Sequence, residues 1–192
     1  MKVRYALSTF VILALCLLGS VSLSAQTVKK WTPADIVANA KPGQWVELEG
    51  IAQKDLSVLA LEIEFLTGDF MDDDWELNGK VQAVNHPENE FQVLVVPVKV
   101  SKNTQFDKGI KSLTDVTPGM LVELEGTYLK DGVFLAKEVE KNTERLKAQP
   151  QLDTMVEAVG KVEQVDEAKR MITVMGIQFH ITEKTEGKSP IK

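Results

Sequence analysis

The chain has almost no cysteine: the only one, Cys16, lies in the amino-terminal stretch, so nothing after it forms a disulfide or offers a thiol nucleophile or a thiolate metal ligand. Histidine is nearly as scarce, with only His86 and His180. His86 precedes a proline in a turn, and His180 alternates out of phase with the apolar Ile177, Phe179 and Ile181. Both are expected at the surface, and no third ligand for zinc is visible. There is no phosphate loop and no nucleophile elbow, so an enzyme would have to work with carboxylates alone; the expectation is a protein that is not an enzyme. Positive charge is in deficit, 22 Lys and Arg against 28 Asp and Glu, for a net −6. That balance argues against binding a phosphate backbone, and nucleic acid is not an expected partner.

A long apolar run occurs only once, from Tyr5 to Leu18. Lys2 and Arg4 precede it, and Gly19, Ser20, Ser22, Ser24 and Ala25 follow, the pattern of a signal peptide over residues 1–25 cut after Ala25. Its roughly 14 apolar-biased residues fall short of the ~20 that cross a bilayer, so no membrane span is expected after cleavage. A lipoprotein reading would attach lipid to Cys16, but Leu15 stands where a small residue is required. The expected location is periplasmic or secreted. Loss of Lys2 and Arg4 with the leader takes the net charge from −6 to −8. The remaining chain is long enough for one domain or two small ones.

Beyond a polar lead, Thr32-Pro33-Ala34-Asp35 has the signature of a helix start: Thr32 as N-cap, Pro33 in the first turn and Asp35 reaching back. The spacing predicts one short helix to about Ala40, with Ile36 and Val37 buried and Trp31 over its start. From Gln44 the period becomes two, and strands are expected at about 44–50, 58–65, 76–85, 91–95, 96–101, 121–130, 133–140, 155–165, 171–175 and 177–182. Pro97 suggests an edge position or a bulge. Asp131-Gly132 reads as a two-residue hairpin turn. Residues 68–76 form an acidic connector, 141–154 a polar linker with a helical start, and 183–192 a frayed tail.

The strands repeat. Pro42–Glu64 aligns with Pro118–Glu140 without a gap at an offset of 76, with 13 of 23 positions identical and VELEG intact. A weaker match at an offset of 81 places Gly79-Lys80-Val81 on Gly160-Lys161-Val162, Val93 on Val174 and Thr104 on Thr185. Calling the first match B and the second A, the order is B, A, B, A: a B half at 33–65, a complete A-B unit at 76–141 and an A half at 155–186. Either each contiguous B-A pair folds alone, as 26–107 and 108–192, or 76–141 folds as a unit and the outer halves close a second one.

The order Gly79 and Val81, Val93–Val100, Thr104 and Phe106, Gly119, Val122–Gly126 and Ala136–Glu140 resembles the bacterial domain of unknown function 5666 family over residues 76–141. The segment AKPGQWVELEG is also similar to bacterial stress-tolerance OB-fold proteins. What the family resemblance implies is a small OB-like β-barrel in exported bacterial proteins, with no known activity. The expected fold is therefore mainly β, tandem small OB-like barrels with one short amino-terminal helix.

A two-residue turn at Asp131-Gly132 would set Glu125 opposite Glu138 and Glu123 opposite Glu140; the repeat holds Glu47, Glu49, Glu62 and Glu64 in the same way. Like charges across strands repel, and a hard cation such as Ca²⁺ would relieve them through oxygen ligands. The plain alternative is a solvated acidic face whose register is shifted by a bulge, with Lys54, Lys130 or Lys137 nearby. Asp69, Asp72, Asp73, Asp74 and Glu76 lack the spacing of a calcium loop. Trp31, Trp45 and Trp75 could form a stacking surface for sugars or peptides, or Trp45 could cover a barrel end beneath the helix. The expected function is a non-enzymatic exported module that binds an unknown protein or envelope component; the alternative is weak binding of divalent cations or a small ligand such as a glycan.

Overall fold

In the computed structural model residues 31–142 and 153–188 are described, and they are mainly β with one α-helix. The leader and most of the polar linker lie outside the described residues. Helix α1 (Pro33–Asn39) starts as its sequence dictates: the Asp35 N–H donates to Thr32 Oγ1 (3.1 Å) and the Thr32 N–H to Asp35 Oδ2 (2.9 Å). Ile36 and Val37 are buried beneath it.

Twelve strands follow, β1 (Trp45–Ala52), β2 (Val58–Phe65), β3 (Trp75–Asn85), β4 (Glu90–Val93), β5 (Val96–Lys99), β6 (Gln105–Asp107), β7 (Leu121–Tyr128), β8 (Phe134–Lys141), β9 (Met155–Asp166), β10 (Met171–Val174), β11 (Ile177–His180) and β12 (Glu186–Lys188). All belong to one continuous sheet, rather than to two separate barrels. Within it the pairings close two rings. One runs β3, β4, β5, β8, β7 and back to β3, with β5 and β8 parallel. The other runs β9, β10, β11, β2, β1 and back to β9, with β11 and β2 parallel. The connection is the same in both and is OB-like. Residues 75–141 thus supply one ring, and the first and last described segments together supply the other.

The rings join where β3 and β9 run antiparallel, with Glu76 opposite Val159, Leu77 opposite Ala158 and Asn78 opposite Glu157. β3 and β9 occupy equivalent places in the repeat, so this seam lies on an approximate two-fold axis. Alternation sends one set of side chains inward: Leu48, Ala158, Leu77 and Leu124 lie in one cross-strand row, each with no exposed surface, and the apolar core is continuous through both rings.

Three expectations need correction, and one holds in part. The tail is not frayed as far as Lys188: β12 pairs in parallel with β2, and the buried Thr185 donates its Oγ1–H to Ala60 O (2.8 Å). Its repeat partner Thr104 does the same to Ala136 O (2.7 Å), anchoring β6 along β8. Pro97 holds the expected edge position and no bulge: it faces Gln92 of β4, and on its other side the β5–β8 ladder begins only at Val98, so its missing N–H falls outside that ladder. The β7–β8 loop has three residues, because the Leu129 N–H donates to Val133 O (2.8 Å) and the Gly132 N–H to Leu129 O (3.0 Å), with Gly132 at φ +86°. Finally, β4 and β5 are split by a tight turn at Leu94-Val95; β4 ends at Val93 and β5 at Lys99, each two residues earlier than the apolar run suggests.

Candidate functional site

The outward face of the seam collects the glutamates. Following the pairings across six strands, one row reads Glu62 (β2), Glu49 (β1), Glu157 (β9), Asn78 (β3), Glu123 (β7) and Glu140 (β8). The next reads Glu64, Glu47, Val159, Glu76, Glu125 and Glu138 on the same strands. Paired residues on adjacent strands share a face, so the two rings present one acidic surface.

The register of the glutamates is the expected one although the turn is not. The three-residue loop shifts β7 against β8 by one residue, and a bulge between Glu125 and Gly126 shifts it back, leaving Glu125 opposite Glu138 and Glu123 opposite Glu140. β1 and β2 carry the same bulge between Glu49 and Gly50, with Glu47 opposite Glu64 and Glu49 opposite Glu62. At both bulges the strands approach too closely for a side chain: a Cβ on Gly50 would lie 2.5 Å from Leu59 O, and one on Gly126 would lie 2.2 Å from Leu135 O.

Crowding shows in the acidities. Partial burial first, then the charges of Glu125, Glu157, Glu123 and Glu47, push the Glu76 carboxyl up to about 7, although its side chain stays exposed to water. Burial, then Glu64, Glu49 and Glu62, raise Glu47 against the opposing pull of Lys188. At the outer strands Lys188 pairs with Glu62, and Lys108 with Glu140 (2.5 Å). These are not the lysines expected from sequence. Lys137, expected near the face, binds Asp73 (2.8 Å), which lowers that carboxyl, and also feels the charge of Glu125.

The carboxylates close enough to share an ion are not the sets expected from the hairpins. Ligand atoms of Glu47, Glu49 and Glu157 come within 4.8 Å of one another, as do those of Asp107, Glu138 and Glu140. Glu157 and Asp107 enter from strands outside each hairpin, so within-hairpin register could not reveal them. The equivalence of Glu76 and Glu157 at the offset of 81 was a readable signal. In the acidic connector, Asp72 pairs with Lys161 (3.5 Å), and Asp74 Oδ2 accepts from the Met71 N–H (2.6 Å).

The tryptophans divide. Trp45 stacks on Phe70 (5.0 Å between ring centres) and meets Trp75 (5.0 Å), which meets Tyr128 (5.4 Å). This ladder joins β1, β3 and β7 across the seam, so Trp45 does not cap a barrel end beneath α1. Trp31 packs instead on Phe65 (5.3 Å). Gly160 makes room, since a Cβ there would lie 2.5 Å from the Trp75 ring. Of the histidines, His86 is exposed and His180 half-buried in β11. Among the described residues no helix is long and apolar enough to cross a membrane.

A family model described as a domain of unknown function (DUF5666) matches residues 6–64 and 78–140. The second match falls inside the ring formed by 75–141, and the first ends in β2. Neither the curated proteins nor the solved structures give a match.

Proposed function

The chain belongs to the DUF5666 family, and we propose that it is an exported, non-enzymatic binding module of the cell envelope that docks a cationic partner on its acidic sheet face. The observation that carries this reading is the double row of glutamates from Glu62 to Glu140. Like charges set opposite one another cost stability, and a structural role alone would favour alternating signs. A surface that sets carboxylates opposite one another over six strands is suited to complementary charge, which steers and orients a partner. Export rests on the leader read in residues 1–25, and the non-enzymatic reading on the lack of a nucleophile or base motif in the sequence.

Proximity labelling in the native envelope tests it, comparing wild type with a variant carrying Glu47→Gln, Glu49→Gln, Glu123→Gln and Glu125→Gln. The expected result is an envelope protein with a Lys- and Arg-rich surface labelled by wild type and lost with the variant. Retention of the protein in the cytoplasm, or an unchanged labelled set, would sink the proposal.

The proximity of Glu47, Glu49 and Glu157, and of Asp107, Glu138 and Glu140, favours a second reading, weak Ca²⁺ binding by oxygen ligands. A ligand at ten times its Kd raises stability by about 1.4 kcal/mol. Millimolar CaCl₂ should then raise the melting temperature of wild type and leave the double variant Glu49→Gln, Glu140→Gln unmoved; no shift in wild type removes this reading.

A further inference from the structure

We propose that the groove beneath the β7–β8 hairpin tip, at one end of the seam, is a binding site for a neutral, hydroxyl-rich ligand of the oligosaccharide class. The proposal rests on the reading of this chain as a binding module and assigns it a second surface, away from the glutamate rows.

The approximate two-fold axis gives the seam two equivalent ends, each with a groove. One, of about 450 Å³, is lined by Trp75, Tyr128, Leu129, Lys130, Lys161 and Glu163. The other, of about 320 Å³, is lined by their repeat counterparts Val156, Ala52, Gln53, Lys54, Lys80 and Gln82. The frame is common to both: a hairpin tip with a lysine, and a strand lysine paired to an aspartate, Lys161 with Asp72 (3.5 Å) and Lys80 with Asp153 (2.6 Å). What differs is the lining. Where one groove has Val156, Ala52 and Gln82, the other has Trp75, Tyr128 and Glu163. Holding the seam does not require the aromatic set, because the equivalent end is held without it. The difference therefore marks a specialised surface on a duplicated frame.

Its chemistry selects the ligand. The half-buried Tyr128 and the exposed Leu129 form an apolar wall, backed by the buried Trp75, whose ring meets Tyr128 (5.4 Å). Sugar rings lay their C–H faces on such walls while their hydroxyls seek fixed donors and acceptors. Glu163 is fixed: its Oε2 accepts from the Gly176 N–H (2.9 Å), and it accepts the hydrogen bond of Tyr128. Burial first, then Glu163, pushes the Tyr128 hydroxyl up to about 12, so it remains protonated and a donor. Lys161 is held 5.3 Å above the Trp45 ring. Both signs of charge line the same groove, so neither an anion nor a cation gains net attraction. A neutral ligand that donates and accepts is matched. The volume lies in the range of about 300–1,000 Å³ usual for small-ligand sites, which favour boundaries between structural units.

The test is titration of the full chain with maltotetraose, cellotetraose and chitotetraose, followed by calorimetry and by tryptophan fluorescence. At least one probe should bind saturably, with a Kd of about 1 mM or tighter. Tyr128→Ala and the surface change Lys130→Ala should each weaken it at least about tenfold, while Lys54→Ala in the equivalent groove leaves it unchanged. Silence with all three probes overturns the proposal, as does binding that survives both groove variants or falls equally with Lys54→Ala. Silence here with a partner still recovered through the glutamate face would overturn this site alone.

Discussion

Replacing Glu76 with glutamine removes one charge from the middle of the acidic face and keeps the side chain's size. Glu76 stands opposite Glu125, and burial followed by Glu125, Glu157, Glu123 and Glu47 raises its carboxyl from 4.5 to about 7. The folded protein thus holds this proton more tightly than the unfolded chain does. The resulting stability is fully present below about pH 4.5 and is lost as pH rises through about 7. At about 1.4 kcal/mol per pKa unit the unscreened loss would be about 3 kcal/mol. Because the side chain is exposed, solvent screening reduces this to about 1 kcal/mol. In a chain of this size that corresponds to about 2–4 °C in melting temperature. Thermal melts of Glu76→Gln and wild type in low salt should differ by that amount at about pH 8, with the variant more stable, and agree within about 1 °C at about pH 4. Adding about 0.5 M NaCl should shrink the gap at high pH. An equal difference at both pH values, or a variant that melts lower at pH 8, would refute the electrostatic account of the face.

Thr185→Val removes a buried hydroxyl that donates to Ala60 O and accepts from the Thr182 N–H (2.9 Å), and should cost about 2 kcal/mol in urea unfolding. Thr104→Val, at the half-buried equivalent, should cost about 1 kcal/mol, and equal costs would contradict the role given to burial. Gly126→Ala, with its new Cβ 2.2 Å from Leu135 O, should lose about 3 kcal/mol or fail to fold. Gly109→Ala, at φ +96° in open space, should lose only about 1–2 kcal/mol of backbone strain, and thermal melts that rank the two the other way would show that the bulge tolerates a side chain.

Local signals in the sequence carried far. Thr32, Pro33 and Asp35 specify α1 because a capping box needs only neighbouring residues, and the alternation of Val46 and Leu48 with Glu47 and Glu49 specifies a strand with one wet face. The glutamate register came out right through two compensating shifts, a longer turn and a bulge, that alternation alone cannot reveal. Gly126 was the available sign, a glycine inside a strand where backbones approach. What sequence could not supply was the partner of each ring. Two copies of the same strands are compatible with contiguous or interleaved closure, and the choice lies in long-range pairs such as Leu48 with Ala158. For the same reason only the repeat equivalence of Glu76 and Glu157 pointed to their place on the acidic face, and nothing local showed that Trp45, Trp75 and Tyr128 meet from three strands. β6 and β12 are too short to alternate; their anchors, Thr104 and Thr185, were visible only as a match in the repeat.

Both proposed surfaces depend on the seam, because the glutamate rows and the aromatic groove exist only if β3 pairs with β9 and β9 with β1. Cross-strand nuclear Overhauser contacts in solution test this most directly. The account predicts backbone contacts from Ala158 to Leu77 on one side and to Leu48 on the other. Contacts that instead join residues 45–65 only to 75–107 would place the halves in contiguous units and dissolve both surfaces.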